Sequence, residues 1–117
     1  IHQYALSMLK EEGYKIALAS NSVRKTIKSM MELSKLGKFL DFYLSNEDVE
    51  NPKPNPEIYL KALCKLNLTA KEVIIIEDND HGIEAANSAG ANVLKVKSVN
   101  EVNYKNIRNF IDFIESK

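Results

Sequence analysis

Val73-Ile74-Ile75-Ile76 is a run of β-branched residues that stops abruptly at Glu77-Asp78-Asn79-Asp80-His81-Gly82. The apolar part has the length and composition of a strand buried on both faces. Two adjacent carboxylates directly after it lie at the strand's carboxyl end, where open α/β sheets form their ligand crevice. Anions at the edge of an apolar sheet are costly unless a cation neutralises them. A hard divalent cation held by carboxylate oxygens is the simplest candidate, and magnesium is usually bound in this way beside a phosphate.

The rest of the chain supplies a frame for that strand. Tyr4, Leu6, Met8 and Leu9 have helical spacing up to Gly13, and Lys15–Ala19 reads as a short buried strand before the polar turn Ser20-Asn21-Ser22. A helix follows, with Ile27, Met30, Met31 and Leu33 assigned to one face, and a strand centred on Phe42–Leu44 comes next. The loop 45–56 carries Pro52, Pro54 and Pro56, which bars helix interior and central strand there. A helix from about Pro56 to Leu66 has the stripe Ile58, Ala62, Leu63 and Leu66, and Gly82–Ala89 reads as a small-residue helix stopped by Gly90. Asn92–Val96 is a further strand, and Ile107, Phe110, Ile111 and Ile114 mark a C-terminal amphipathic helix. The order α-β-α-β-α-β-α-β-α predicts one α/β domain over residues 1–117, a parallel sheet with helices on both faces.

Charge and cysteine content narrow the function classes. Sixteen basic and sixteen acidic side chains cancel, so no global field favours nucleic acid or an anionic membrane. No stretch is long enough to span a bilayer and none resembles a signal peptide. A lone Cys64 allows no internal disulfide, which fits a reducing, cytoplasmic compartment, and its helical context predicts a buried structural thiol.

Three strand ends hold candidate chemistry, and each has a plain structural alternative. Ser20 and Asn21, directly before a helix, offer a hydroxyl and backbone N–H groups for an anion, or Ser20 or Ser22 serves only as an N-cap. Lys53, between Pro52 and Pro54, is held stiffly enough to neutralise a phosphate oxygen or orient a carboxylate, or it is incidental to a turn. Glu77 and Asp78 are candidate metal ligands, or this acidic run caps the next helix; four acids or amides in a row exceed what one cap needs. His2 and His81 have no metal-ligand spacing.

In this order the residues resemble the haloacid dehalogenase superfamily of phosphotransferases, and within it the β-phosphoglucomutase-like phosphatases and mutases. Leu18-Ala19-Ser20-Asn21-Ser22 is similar to the second family motif, Lys53-Pro54-Asn55-Pro56 to the third, and Ile76-Glu77-Asp78-Asn79 with Gly82-Ile83-Glu84-Ala85-Ala86 to the fourth. The resemblance implies a Rossmann-like core in which Ser20 and Asn21 bind the transferring phosphoryl group. It further implies that Lys53 stabilises the phosphorylated nucleophile and that Glu77 and Asp78 bind Mg2+. Ser20 and Lys53 would then be the catalytic residues of this chain, acting on a small phosphorylated metabolite.

One family motif has no counterpart. The aspartate nucleophile belongs to an Asp-x-Asp-Gly-Thr-like sequence, which Asp78-Asn79-Asp80-His81-Gly82 imitates only superficially, because it follows the other motifs and opens a helix. The resemblance therefore implies the C-terminal part of a longer enzyme, without a cap domain and inactive by itself. The central, nucleophile-bearing strand would be missing between Lys15–Ala19 and Val73–Ile76. Three outcomes are open for that gap: the flanking strands pair with each other, a second chain fills it through the exposed edges, or the missing N-terminal segment binds there. On this view Lys53→Ala costs turnover far more than stability. The alternative from another class is a non-catalytic, receiver-like or partner-binding α/β module.

Overall fold

The computed structural model describes residues 2–117. Among them the order is α1 (His2–Glu11), β1 (Ala17–Ala19), α2 (Arg24–Ser34), β2 (Phe42–Leu44), α3 (Glu57–Leu66), β3 (Ile74–Glu77), α4 (Asp80–Ser88), β4 (Asn92–Lys95) and α5 (Tyr104–Glu115). Short 3₁₀ turns at Gly37–Phe39, Asn46–Asp48, Ala70–Glu72 and Val99–Glu101 complete the connections. The expected α/β alternation is present throughout.

Both strand pairs are parallel. β1 pairs with β2 from Ala17 opposite Phe42 to Ala19 opposite Leu44. β3 pairs with β4 from Ile74 opposite Asn92 to Glu77 opposite Lys95. β1 and β3 are not hydrogen-bonded to each other, so the strands form two separate pairs. The first of the three outcomes for the gap, closure of the flanking strands, does not occur.

The unbroken apolar character of β3 follows from cover on both faces. Ile75 packs with Leu44, Ile58, Tyr59, Ala85 and Ala86, on the side of α3 and α4. Ile74 and Ile76 face the opposite cluster of Leu9, Ile107 and Ile111, on α1 and α5. Ile27 and Ile58 are fully buried, each contributing roughly 1.5–3 kcal/mol relative to an exposed side chain.

Two expected buried faces are corrected by helical angle. Leu33 lies six residues beyond Ile27, about 240° around the helix, and is 86% exposed. Cys64 stands in the same relation to Ile58 on α3, and its thiol is exposed rather than buried. The helix expected from Gly82 begins at Asp80, because the Asn79 side chain caps it by accepting the Gly82 N–H at 2.8 Å. Asn79 and Asp80 thus perform helix-start chemistry, which leaves Glu77 and Asp78 outside that explanation.

Asp41 clamps the entry to both N-terminal strands. Its Oδ2 accepts the Ile16 N–H at 2.7 Å, its own N–H donates to the Ile16 carbonyl, and Lys10 pairs with it at 2.9 Å. The Ile16 hydrogen bond, then Lys10, holds its carboxyl below the usual range. A depressed carboxyl contributes stability fully above its unfolded value and loses it as pH falls through the folded one. Asp41→Asn is expected to lower unfolding free energy by about 1 kcal/mol at neutral pH, discounted for exposure. The difference from the parent shrinks below roughly pH 4, read by urea denaturation at both pH values.

Candidate active site

The carboxyl end of β1 is prepared by its partner strand. After Ala19 the parallel ladder continues for one rung, Ser20 N–H to the Leu44 carbonyl at 3.0 Å, which fixes the Ser20 backbone. The Ser20 Oγ accepts the Ser22 N–H at 3.1 Å, a local turn that leaves the hydroxyl proton uncommitted. Neither serine caps α2. Its N-cap position is Val23, without a side-chain bond, and the Glu47 carboxylate accepts the Arg24 N–H at 2.6 Å instead.

The proline loop is tied down at several points. The Glu57 carboxylate accepts the N–H groups of Glu50 and Asn51, at 2.9 and 3.1 Å, and the Asn51 amide. Those bonds, the Glu50 N–H foremost, hold the Glu57 carboxyl below its ordinary range. The Lys53–Pro54 peptide is cis. The Lys53 N–H donates to the Asn21 side-chain oxygen at 3.2 Å, joining the loop to the turn after β1. Asn21 was expected to act through its backbone amide; here its side chain acts as a tether.

The Lys53 ammonium reaches across the gap between the two strand pairs. It donates to the Ala19 carbonyl at the end of β1, at 3.0 Å, and to Glu77 Oε2 at the end of β3, at 2.7 Å. Both side chains are more than nine-tenths buried. Two of its three N–H donors are committed to these oxygens, and the third remains. The ammonium thus contacts a carboxylate and a strand-end carbonyl at once.

Glu77 is a buried acid, and its surroundings account for that. Oε2 accepts from Lys53 and from the Tyr59 hydroxyl at 2.7 Å. The Tyr59 ring lies beneath the ammonium, 5.0 Å from nitrogen to centroid. Burial first, then the hydrogen bond to Glu77, pushes the Tyr59 phenol well above its ordinary range, so it stays protonated and donating. The carboxylate rests against Gly82 so closely that any Cβ there would overlap it. Tyr59 is the site residue that sequence reasoning missed. It lies outside the apolar stripe assigned to this helix, and only its hydroxyl, which needs a partner when buried, marks it.

Asp78, the next residue, is exposed and has no hydrogen bond or ion pair among the described residues. No group of three or more His, Cys, Asp or Glu side chains able to hold a metal occurs among them either. The donor set at this strand end is two adjacent carboxylates. Hard oxygen donors of that kind and number fit magnesium, which typically takes one or two carboxylates and completes its shell with water and phosphate oxygens. His81 is exposed in the first turn of α4 and His2 bonds the Val99 carbonyl, so neither joins the cluster. Two surface grooves, one between β4 and α5 around Phe110 and the other between α2 and β2 around Met31, are lined by none of these residues.

This arrangement, a hydroxyl turn, a buried lysine and paired acids at the carboxyl ends of parallel strands, can be compared with known proteins. Residues 2–96 match the haloacid dehalogenase-like hydrolase family, and the chain belongs to it. The Bacillus cereus pyrophosphatase PpaX is 38% identical over 88 residues, which are 75% of this chain and 41% of that protein. A haloacid dehalogenase-superfamily hydrolase from Ehrlichia chaffeensis superposes with a TM-score of 0.77 at 30% identity, covering 96% of this chain and 56% of that one. A β-phosphoglucomutase from Clostridium difficile gives a TM-score of 0.80 at 26% identity, covering 97% and 56%. The chain thus spans about two-fifths of the length of the curated relatives it matches. Family membership sets the receiver-like alternative aside. Among the described residues no helix is long and apolar enough to cross a membrane.

Proposed function

We propose that this chain forms one side of a magnesium-dependent phosphoryl-transfer site, in a phosphatase or sugar-phosphate mutase acting on a small phosphorylated metabolite in the cytoplasm. The observation that carries the reading is the Lys53 ammonium joining the ends of β1 and β3 through Ala19 and Glu77. A spare N–H on a buried, immobilised lysine is a preorganised donor for an anionic oxygen. The Ser20 hydroxyl, its proton free, and the Asn21 backbone N–H would take other oxygens of the same phosphoryl group. Each such donor is worth roughly 2.7–4 kcal/mol of transition-state stabilisation on oxyanion-hole precedent. Glu77 and Asp78 are the residues that would hold Mg2+, which supplies charge neutralisation for an incoming anionic nucleophile.

The nucleophile in this reading is an aspartate outside these 117 residues, attacking in line to form an aspartyl-phosphate. Its strand would run between β1 and β3, whose facing edges do not pair with each other. Until that strand is present the two edges are open to association with other chains. By itself the 117-residue chain would not turn over substrate.

The test uses the longest reading frame that contains this chain, assayed for phosphate release and isomerisation on phosphorylated sugars, nucleotides and pyrophosphate, with and without Mg2+. Magnesium-dependent turnover is expected, and Asp78→Asn is expected to remove it while leaving the thermal melt in place. An Asp78→Asn protein of normal activity and unchanged metal requirement would sink the assignment.

A further inference from the structure

We propose that Tyr59 is a positioning residue that reserves one oxygen of Glu77 for Lys53 and leaves the other for the cation; this rests on the metal role given to Glu77 above. Packing alone does not call for a tyrosine at this position. The ring is buried among Leu44, Ile58, Ile75, Ala85 and Ala86, an environment that phenylalanine fills equally well. A hydroxyl carried into such a core is unfavourable unless it finds a partner. Its partner is Glu77 Oε2, the same atom that Lys53 reaches, and both bonds are 2.7 Å long. Two donors converging on one carboxylate oxygen hold that atom in place. Among the described residues Oε1 accepts no hydrogen bond, so the carboxylate presents one committed and one uncommitted oxygen.

The same side chain also holds the lysine. The ring face lies 5.0 Å from the Lys53 nitrogen, an electrostatically favourable placement for an ammonium. Tyr59 therefore touches both members of the pair, on α3, while they come from the proline loop and β3. Without the hydroxyl, Glu77 Oε2 keeps only Lys53, and the carboxylate gains freedom to rotate and to offer both oxygens to the ammonium. Partners of this kind, one step removed from a metal, typically govern metal affinity by ten- to a hundredfold when removed.

The experiment is Tyr59→Phe, which retains the ring and deletes the hydroxyl, in the longest reading frame containing the chain. Calorimetric titration with Mg2+ alone is expected to show at least a tenfold loss of affinity. Turnover at saturating Mg2+ should fall by much less, so the defect appears in the metal requirement rather than in kcat. In a Glu77→Gln background the same substitution is expected to leave Mg2+ affinity unchanged, because Tyr59 acts through that carboxylate. A purely structural role would instead lower affinity in both backgrounds, and that result overturns the proposal. A metal-free readout accompanies these: the 15N-detected Lys53 ammonium resonance, expected in slow exchange in the parent and lost or broadened in Tyr59→Phe. If the parent binds no Mg2+, the metal reading fails at that point, and retention of the ammonium resonance in Tyr59→Phe then overturns the positioning role as well. If the parent binds Mg2+ and Tyr59→Phe binds it within twofold, only the positioning role is overturned.

Discussion

Lys53→Ala, in the longest reading frame containing this chain, is expected to abolish the proposed turnover and, contrary to what a loop lysine suggests, to destabilise the fold by about 3–5 kcal/mol. The sequence places this lysine in an exposed-looking loop, where its removal would spare stability. Its side chain is instead 8% exposed, against a Glu77 side chain of 9%. Removing the ammonium leaves a carboxylate in the core with only the Tyr59 hydroxyl to satisfy it. The cost is mainly that of the stranded charge and says little about the net worth of the pair, since replacing both ions together is often close to neutral. A double variant separates the contributions. Lys53→Ala with Glu77→Gln should recover much of the lost stability in urea denaturation and none of the turnover. If Lys53→Ala alone melts like the parent, the ion pair is not formed in solution and the site geometry fails with it.

The parts of this architecture that were readable came from patterns with one physical meaning. The run Val73–Ile76 lacks alternation, which requires cover on both faces, and α3 with α4 and α1 with α5 supply it. The strand expected to centre on Phe42–Leu44 is found there, in a short apolar run that leads into a proline-rich loop. Leu33 on its helix face and the Cys64 thiol were placed inside too generously, because each lies about 240° from the buried isoleucine of its own helix. Strand periodicity held information about the site that the acidic cluster obscured. Counting by two from Ile75 places Glu77 on the same face, toward α3 and α4, where a carboxylate needs a cation and a hydroxyl rather than solvent. Lys53 and Tyr59 are those groups, yet 24 and 18 residues of chain separate them from Glu77, and no local pattern brings them together. Family resemblance supplied the proximity of lysine and acid; nothing in the sequence reading supplied the tyrosine.

Gly82→Ala should be the second severe substitution, against the sign that helix propensity alone gives. Gly82 lies in the first turn of α4, and exchanging a helical glycine for alanine ordinarily stabilises by up to about 1 kcal/mol. Here the new methyl would occupy the space of the Glu77 carboxylate. The end of a glutamate side chain can usually move aside at little cost, but this one is held by Lys53 and Tyr59. Making room therefore means breaking both bonds and leaving a buried ammonium and a buried phenol without their acceptor. Stranding one member of such a pair costs about 3–5 kcal/mol, so after the propensity gain a net loss of roughly 2–4 kcal/mol is expected. In the longest reading frame containing the chain, the proposed turnover should fall with it, because Glu77 leaves the position from which it would meet the cation. The diagnostic is non-additivity. In a Glu77→Ala background the obstruction is gone, and Gly82→Ala should become neutral or stabilising in the same urea denaturation measurement. Equal destabilisation in both backgrounds would mean that the glycine is required by the helix backbone itself, and that the close approach of Glu77 plays no part.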